Sequence, residues 1–258
     1  MKLDISLAPE ILFNLGSLPV TSTLLWSFVL SLVIIAGTLA MRFSLKAIPG
    51  RWQSLFEIII DEGMKFVESI MKDKEKARRV FPLVFTMFIF IVFANLLPFI
   101  PGQAAVTLHT AGGDVAPFRA IMSDYGMVFM LTAISIITIQ IVAIVAHGPF
   151  GYLGKFINLK SPLAFVLGLM DLIGELSKIL SLSFRLFGNI FAGEVLGLVM
   201  LFLAPFIIPL PFALLGLITA IIQGFVFSLL TLIFISMAGE IEVKEEKKEI
   251  KACTNFNN

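Results

Sequence analysis

Between Asp171 and Glu194 an apolar stretch carries five ionisable side chains, Asp171, Glu175, Lys178, Arg185 and Glu194, together with Ser181 and Asn189. A charge near the centre of a bilayer costs roughly 2.5 to 3.5 kcal/mol on insertion scales, so each is a functional candidate by default. The chemistry open to such a set is ionic: a permanently charged guanidinium that holds an anion, and carboxylates that load and release a mobile ion. The sequence has no Gly-rich phosphate loop, no His pair at metal-ligand spacing and no nucleophile elbow. Neither a nucleotide site, nor hydrolytic chemistry, nor a metal, nor a cofactor is therefore expected.

Helical geometry orders these groups. At about 100° per residue, Asp171, Lys178, Ser181, Arg185 and Asn189 fall within roughly 80° of arc, with Glu175 at its edge about 80° from Arg185. Glu194 lies about 180° from Arg185, on the far side of the same helix. Some bland alternatives compete with an ion path. Arg185 can pair with Asp171 or Glu175 to hold helices together, and Lys178 can snorkel to an interface. Glu194 and Gln223 can serve as helix-packing hydrogen bonds. His109 and His147 read as surface histidines, and Asp124 is expected either to pair with Arg119 or to cap the helix beginning at Tyr125.

The elements that must position these groups are helices in a membrane. Of 258 residues, 58% are hydrophobic and 14% charged, and the net charge is +1. That balance is far from a soluble domain and gives no basic surface for nucleic acid, so no nucleic-acid function is expected. The expected fold is an all-α polytopic membrane protein of about five membrane-embedded helices plus an amphipathic helix, with a long tilted helix pair near the C-terminus. After an outer segment at 1–19, without the marks of a cleaved signal peptide, a first crossing is placed at 20–41 and an amphipathic helix at 51–71. Further crossings follow at 80–100 and 125–147, then long tilted helices at 162–203 and 206–238 and a solvated tail at 239–258. The stretch 162–203 would be roughly 60 Å of helix, twice the hydrocarbon thickness, so it must either bend or break near Gly188 or Gly193 or lie strongly tilted. Nine of the nineteen Lys and Arg residues lie between Arg42 and Arg79. Their side is expected to be cytoplasmic, which places the N-terminus outside and the C-terminus inside. Cys253 is the single cysteine, so no disulfide within the chain is available.

The motif Arg185-Leu-Phe-Gly-Asn189 followed by Ala192-Gly-Glu194 closely resembles the a-subunit family of F-type ATP synthases. The resemblance extends to Asn95-Leu-Leu-Pro98, Phe118-Arg-Ala120 ahead of Ser123-Asp124, and Gln223 with Ser236-Met-Ala238, covering roughly residues 20 to 240. It implies a stator in the energy-coupling membrane, most naturally a bacterial inner membrane. Two offset half-channels would carry an ion, H⁺ or Na⁺, against the rotating c-ring, beside the peripheral-stalk b subunits and the rest of the synthase. The chain would be a channel subunit and not an enzyme on its own. By the same resemblance Arg185 faces the ring carboxylate, Glu194 is a channel carboxylate and Gln223 lies beside the arginine. Asn189, Lys178, Ser181 and Asp171 match polar positions of the same helix. The chain departs from the family pattern at Gly216, where some relatives carry histidine or glutamate, at Ile179 and at Ile121-Met122. A secondary transporter with a midplane site is the alternative function, although no internal repeat and no second matched charged helix is evident. An assembly scaffold with structural charges is a third.

Overall fold

The computed structural model describes residues 11–15, 18–46, 49–99, 108–110, 113–115, 120–148, 162–203 and 209–255. Six α-helices run through them: α1 (Ser22–Ser44), α2 (Arg51–Met71), α3 (Lys74–Leu96), α4 (Tyr125–His147), α5 (Pro162–Leu203) and α6 (Pro209–Asn255). All but α2 are long and apolar enough to cross a membrane, as the expected all-α polytopic fold requires.

Local chemistry sets where the helices begin. Thr21 caps α1 by accepting from the Leu24 amide. Asp73 caps α3 through Oδ1, which accepts from the amides of Glu75 and Lys76. Lys72, between α2 and α3, adopts φ 56° in the left-handed region and ends α2 with its amide on the Glu68 carbonyl. Because of the Asp73 cap, the basic run Lys74–Arg79 is the opening of α3 itself, ahead of the crossing expected from residue 80. Pro82 lies inside α3, and its carbonyl accepts from the Thr86 hydroxyl at 2.6 Å. Asp124 takes the capping role and not merely a loop position: its Oδ1 accepts from the Gly126 amide at 2.9 Å, and its Oδ2 accepts from the buried Thr23 hydroxyl at 2.6 Å. The start of α4 is thereby tied to the start of α1. Arg119, its other expected partner, lies outside the described residues, as does the side chain of His147.

Two further features differ from the expected layout. Short antiparallel hairpins, Ile11–Leu15 with Leu18–Thr21 and Leu108–Thr110 with Gly113–Val115, precede α1 and follow α3 respectively. Strands of three to five residues give too few repeats for their period to be read from sequence. The Glu- and Lys-rich segment beyond residue 239, read as a solvated tail, continues α6 as far as Asn255; both residue types are strong helix formers.

The core lies where α3, α4, α5 and α6 meet. Met87, Ile91 and Ala94 of α3, Val128 of α4, Leu182, Leu186 and Ile190 of α5 and Phe227 of α6 form one buried cluster. The α3–α6 seam is especially close: a Cβ on Gly224 would stand 2.6 Å from Val92 Cγ2 and 3.3 Å from the Val92 backbone nitrogen. Helix α5 is helical throughout, so of the two expected solutions to its length the break at Gly188 or Gly193 is not used. At about 60 Å it must slant through, or reach beyond, a hydrocarbon layer about 30 Å thick.

Candidate functional site

Leu182, Leu186 and Ile190 recur at helical spacing on α5 and are buried against α4 and α6, together with Gly168 and Ser183. That burial turns Leu180, Ser181, Phe184 and Arg185 outward. The rotation of α5 is fixed further by Tyr125 at the start of α4, whose ring lies 5.8 Å from Phe184 and meets Phe187 edge-on at 5.6 Å. Arg185 therefore stands near mid-length of α5 on an exposed, largely apolar surface. Among the described residues its guanidinium has no ion-pair or hydrogen-bond partner. The bland alternative for Arg185 needed Asp171 or Glu175, which lie fourteen and ten residues away on the same helix, about 21 and 15 Å along its axis and beyond side-chain reach; Glu175 is moreover engaged by Lys178, whose Nζ donates to its Oε1 at 2.9 Å. Nor does Lys178 snorkel away from the bundle; it turns back one helical turn to its partner.

Asp171 and Ser181 are exposed, and Asn189 and Glu194 are half-buried, all on α5. Gln223 is on α6, buried, and among the described residues its Nε2 has no hydrogen-bond partner. The resemblance puts this glutamine beside the arginine, but no hydrogen bond joins the two. The structure thus brings Lys178 to Glu175, and among the described residues no hydrogen bond joins Arg185 to Gln223. At Gly216, where the sequence departs from the pattern it resembles, the space in which a side chain would begin is taken by Phe99, whose Cζ lies 3.0 Å from that Cβ position.

Two polar residues escaped the sequence reading as candidates. Asn95 is fully buried at the end of α3, its Nδ2 donating to the Ala220 carbonyl at 3.3 Å while its Oδ1 has no partner among the described residues. An asparagine closing the uncharged part of α3 beyond Arg79 was the available signal. Gln140, the one carboxamide in α4, reaches Glu175 on α5. Among the described residues no three His, Cys, Asp or Glu side chains gather as metal ligands would.

A family described as ATP synthase A chain matches residues 23–236. The chain belongs to this family. Among its relatives, "ATP synthase subunit a" of Moorella thermoacetica is 34% identical over 228 residues, 88% of this chain and 95% of the relative. The protein of the same name from Legionella pneumophila (strain Corby) is 32% identical, covering 92% and 94%. That of Geobacter sulfurreducens is 35% identical, covering 84% and 85%. With the ATP synthase A chain family and five helices fit to cross a membrane, this is a multi-pass membrane protein of ATP synthesis and ion transport. It belongs to the membrane sector of the synthase and works as one of its subunits.

Proposed function

We propose that this chain is the stationary, ion-translocating subunit of the membrane sector, working against a rotating ring of c subunits and held by the peripheral-stalk b subunits. Two half-channels reach the interior of the membrane from opposite sides and are offset laterally, so an ion passes between them only by riding the ring. A protonated ring carboxylate is neutral and can face lipid, whereas the ionised form cannot, and a fixed cation on the stator favours ionisation where the two meet. Arginine suits that place because guanidinium stays charged at any physiological pH, while a desolvated lysine can lose its proton. The transmembrane potential, about 2.3 kcal/mol per charge per 100 mV, biases loading and release. The ion is taken to be a proton.

The observation that carries this reading is Arg185 itself, exposed on a largely apolar surface of α5 and without a partner among the described residues. Left against lipid, such a charge is costly, so its counter-charge must come from another chain. Glu194, Asn189 and Gln223 are assigned to the ion path, with Asp171 and Ser181 as polar surface at its approach. Lys178, committed to Glu175, is left out of that path. Arg185→Lys tests the reading. Coupled ATP synthesis should be lost in an assembled complex, because the compact ammonium lacks the fixed charge and fork geometry of guanidinium. Near-normal ion-driven synthesis by that variant would refute the stator assignment.

A further inference from the structure

Lys178 does not merely pair with its neighbour; it is enclosed by three helices. Glu175 uses both oxygens, Oε1 accepting from Lys178 Nζ at 2.9 Å and Oε2 accepting from Gln140 Nε2 of α4 at 3.5 Å. On its other side the ammonium lies 5.0 Å from the centre of the Phe234 ring of α6. The Lys178 and Glu175 side chains retain 31% and 19% of their exposure, so this is a half-sheltered charge pair at a three-helix junction and not a surface contact. Seven residues separate Lys178 from Arg185, which puts them about 20° apart in phase and about 10.5 Å apart along the axis. They are the only cations of α5, and they stand on one line of it. The first is cancelled within the chain, and the second has no partner among the described residues.

We propose that Glu175, braced by Gln140, is a positioning residue for ion translocation: it neutralises Lys178 and turns it into the bundle, so that Arg185 is the single effective cation on that line. This rests on the assignment of Arg185 above. A carboxylate carried past α5 then meets one fixed positive charge. Without Glu175 it meets two, two helical turns apart, and the second holds the ionised form where the carboxylate must be reprotonated and released. Gln140 holds the Oε2 side of Glu175, so that its other oxygen stays aimed at the ammonium.

The test uses the whole synthase in inverted membrane vesicles, comparing Glu175→Gln, the double variant Glu175→Gln with Lys178→Gln, and the charge swap Glu175→Lys with Lys178→Glu. ATP-driven proton pumping is read per assembled complex. Glu175→Gln should slow pumping several-fold, and both neutral-pair variants should recover most of the loss, which a purely structural role would not allow. Pumping unchanged in Glu175→Gln, or no recovery in the assembled double variant, overturns the proposal. Should Glu175→Gln fail to assemble, the double variant and the swap decide alone: assembled and coupled supports the proposal, unassembled or uncoupled overturns it. Arg185→Lys in the same vesicles separates the two levels. If it stays coupled, the stator reading falls and takes this one with it; if it is uncoupled while Glu175→Gln pumps normally, only the role of Glu175 falls.

Discussion

Glu194 lies nine residues beyond Arg185 on one unbroken helix, about 180° away in phase. A single segment can therefore offer a charge on one side and a water path on the other. Arg185 is exposed and Glu194 half-buried, as residues serving an outer partner and an inner path would be. Glu194→Gln is expected to slow ion flux several-fold while sparing assembly, and Glu194→Asp to do less harm because it keeps an ionisable group. Proton flux into vesicles, normalised to assembled complex, measures both; unchanged flux in Glu194→Gln removes Glu194 from the path. At this scale the sequence showed which residues carry charge and on which side of the helix they stand. It left open whether Arg185 finds a partner on another helix of the chain; among the described residues it finds none, and Glu175 and Asp171, ten and fourteen residues away on the same helix, stand about 15 and 21 Å off along its axis, beyond side-chain reach.

Helices α3 and α6 approach through small residues. Gly216, Ala220 and Gly224 recur every fourth residue on α6, Asn95 reaches the Ala220 carbonyl, and Phe99 fills the space at Gly216. Such stripes let helix backbones come close where lipid supplies no hydrophobic drive for association. Gly224→Ala would place a methyl 2.6 Å from Val92 Cγ2 and 3.3 Å from the Val92 nitrogen. Overpacking of this kind costs about 1 to 3 kcal/mol. Because Val92 is β-branched and stiff in a helix, the helices are expected to part instead, stretching the Asn95 bond first. The thermal midpoint for loss of the assembled complex should fall in Gly224→Ala. Adding Val92→Ala should restore only part of it, since the backbone contact remains. An unchanged midpoint in Gly224→Ala would show that the seam is slack. The glycines were plain in the sequence; which of them faced a backbone was not, since that depends on how α6 is rotated against α3.

Across the whole molecule, the concentration of Lys and Arg between Arg42 and Arg79 sets the expected orientation, with the end of α6 on the cytoplasmic side. A membrane-impermeant thiol label should reach Cys253 in inverted vesicles and not in sealed right-side-out ones; labelling from outside would reverse the topology. The number of membrane-fit helices and the family were determined by the sequence itself. Hydrophobic length, helical period and the Arg185-to-Glu194 motif are local properties, fixed by the bilayer's thickness and the backbone's geometry whatever the rest of the chain does. The short hairpins were not legible because a strand is specified by its partner as well as by its own few residues. The pairing of Glu175 with Lys178 is an i,i+3 contact within α5 that the helical period allows. The bracing by Gln140 and the filling of the space at Gly216 were decided by tertiary structure alone. Each depends on how one helix is rotated and slid against another, and that is set by the summed packing of faces such as Leu182, Leu186 and Ile190, which no single segment contains.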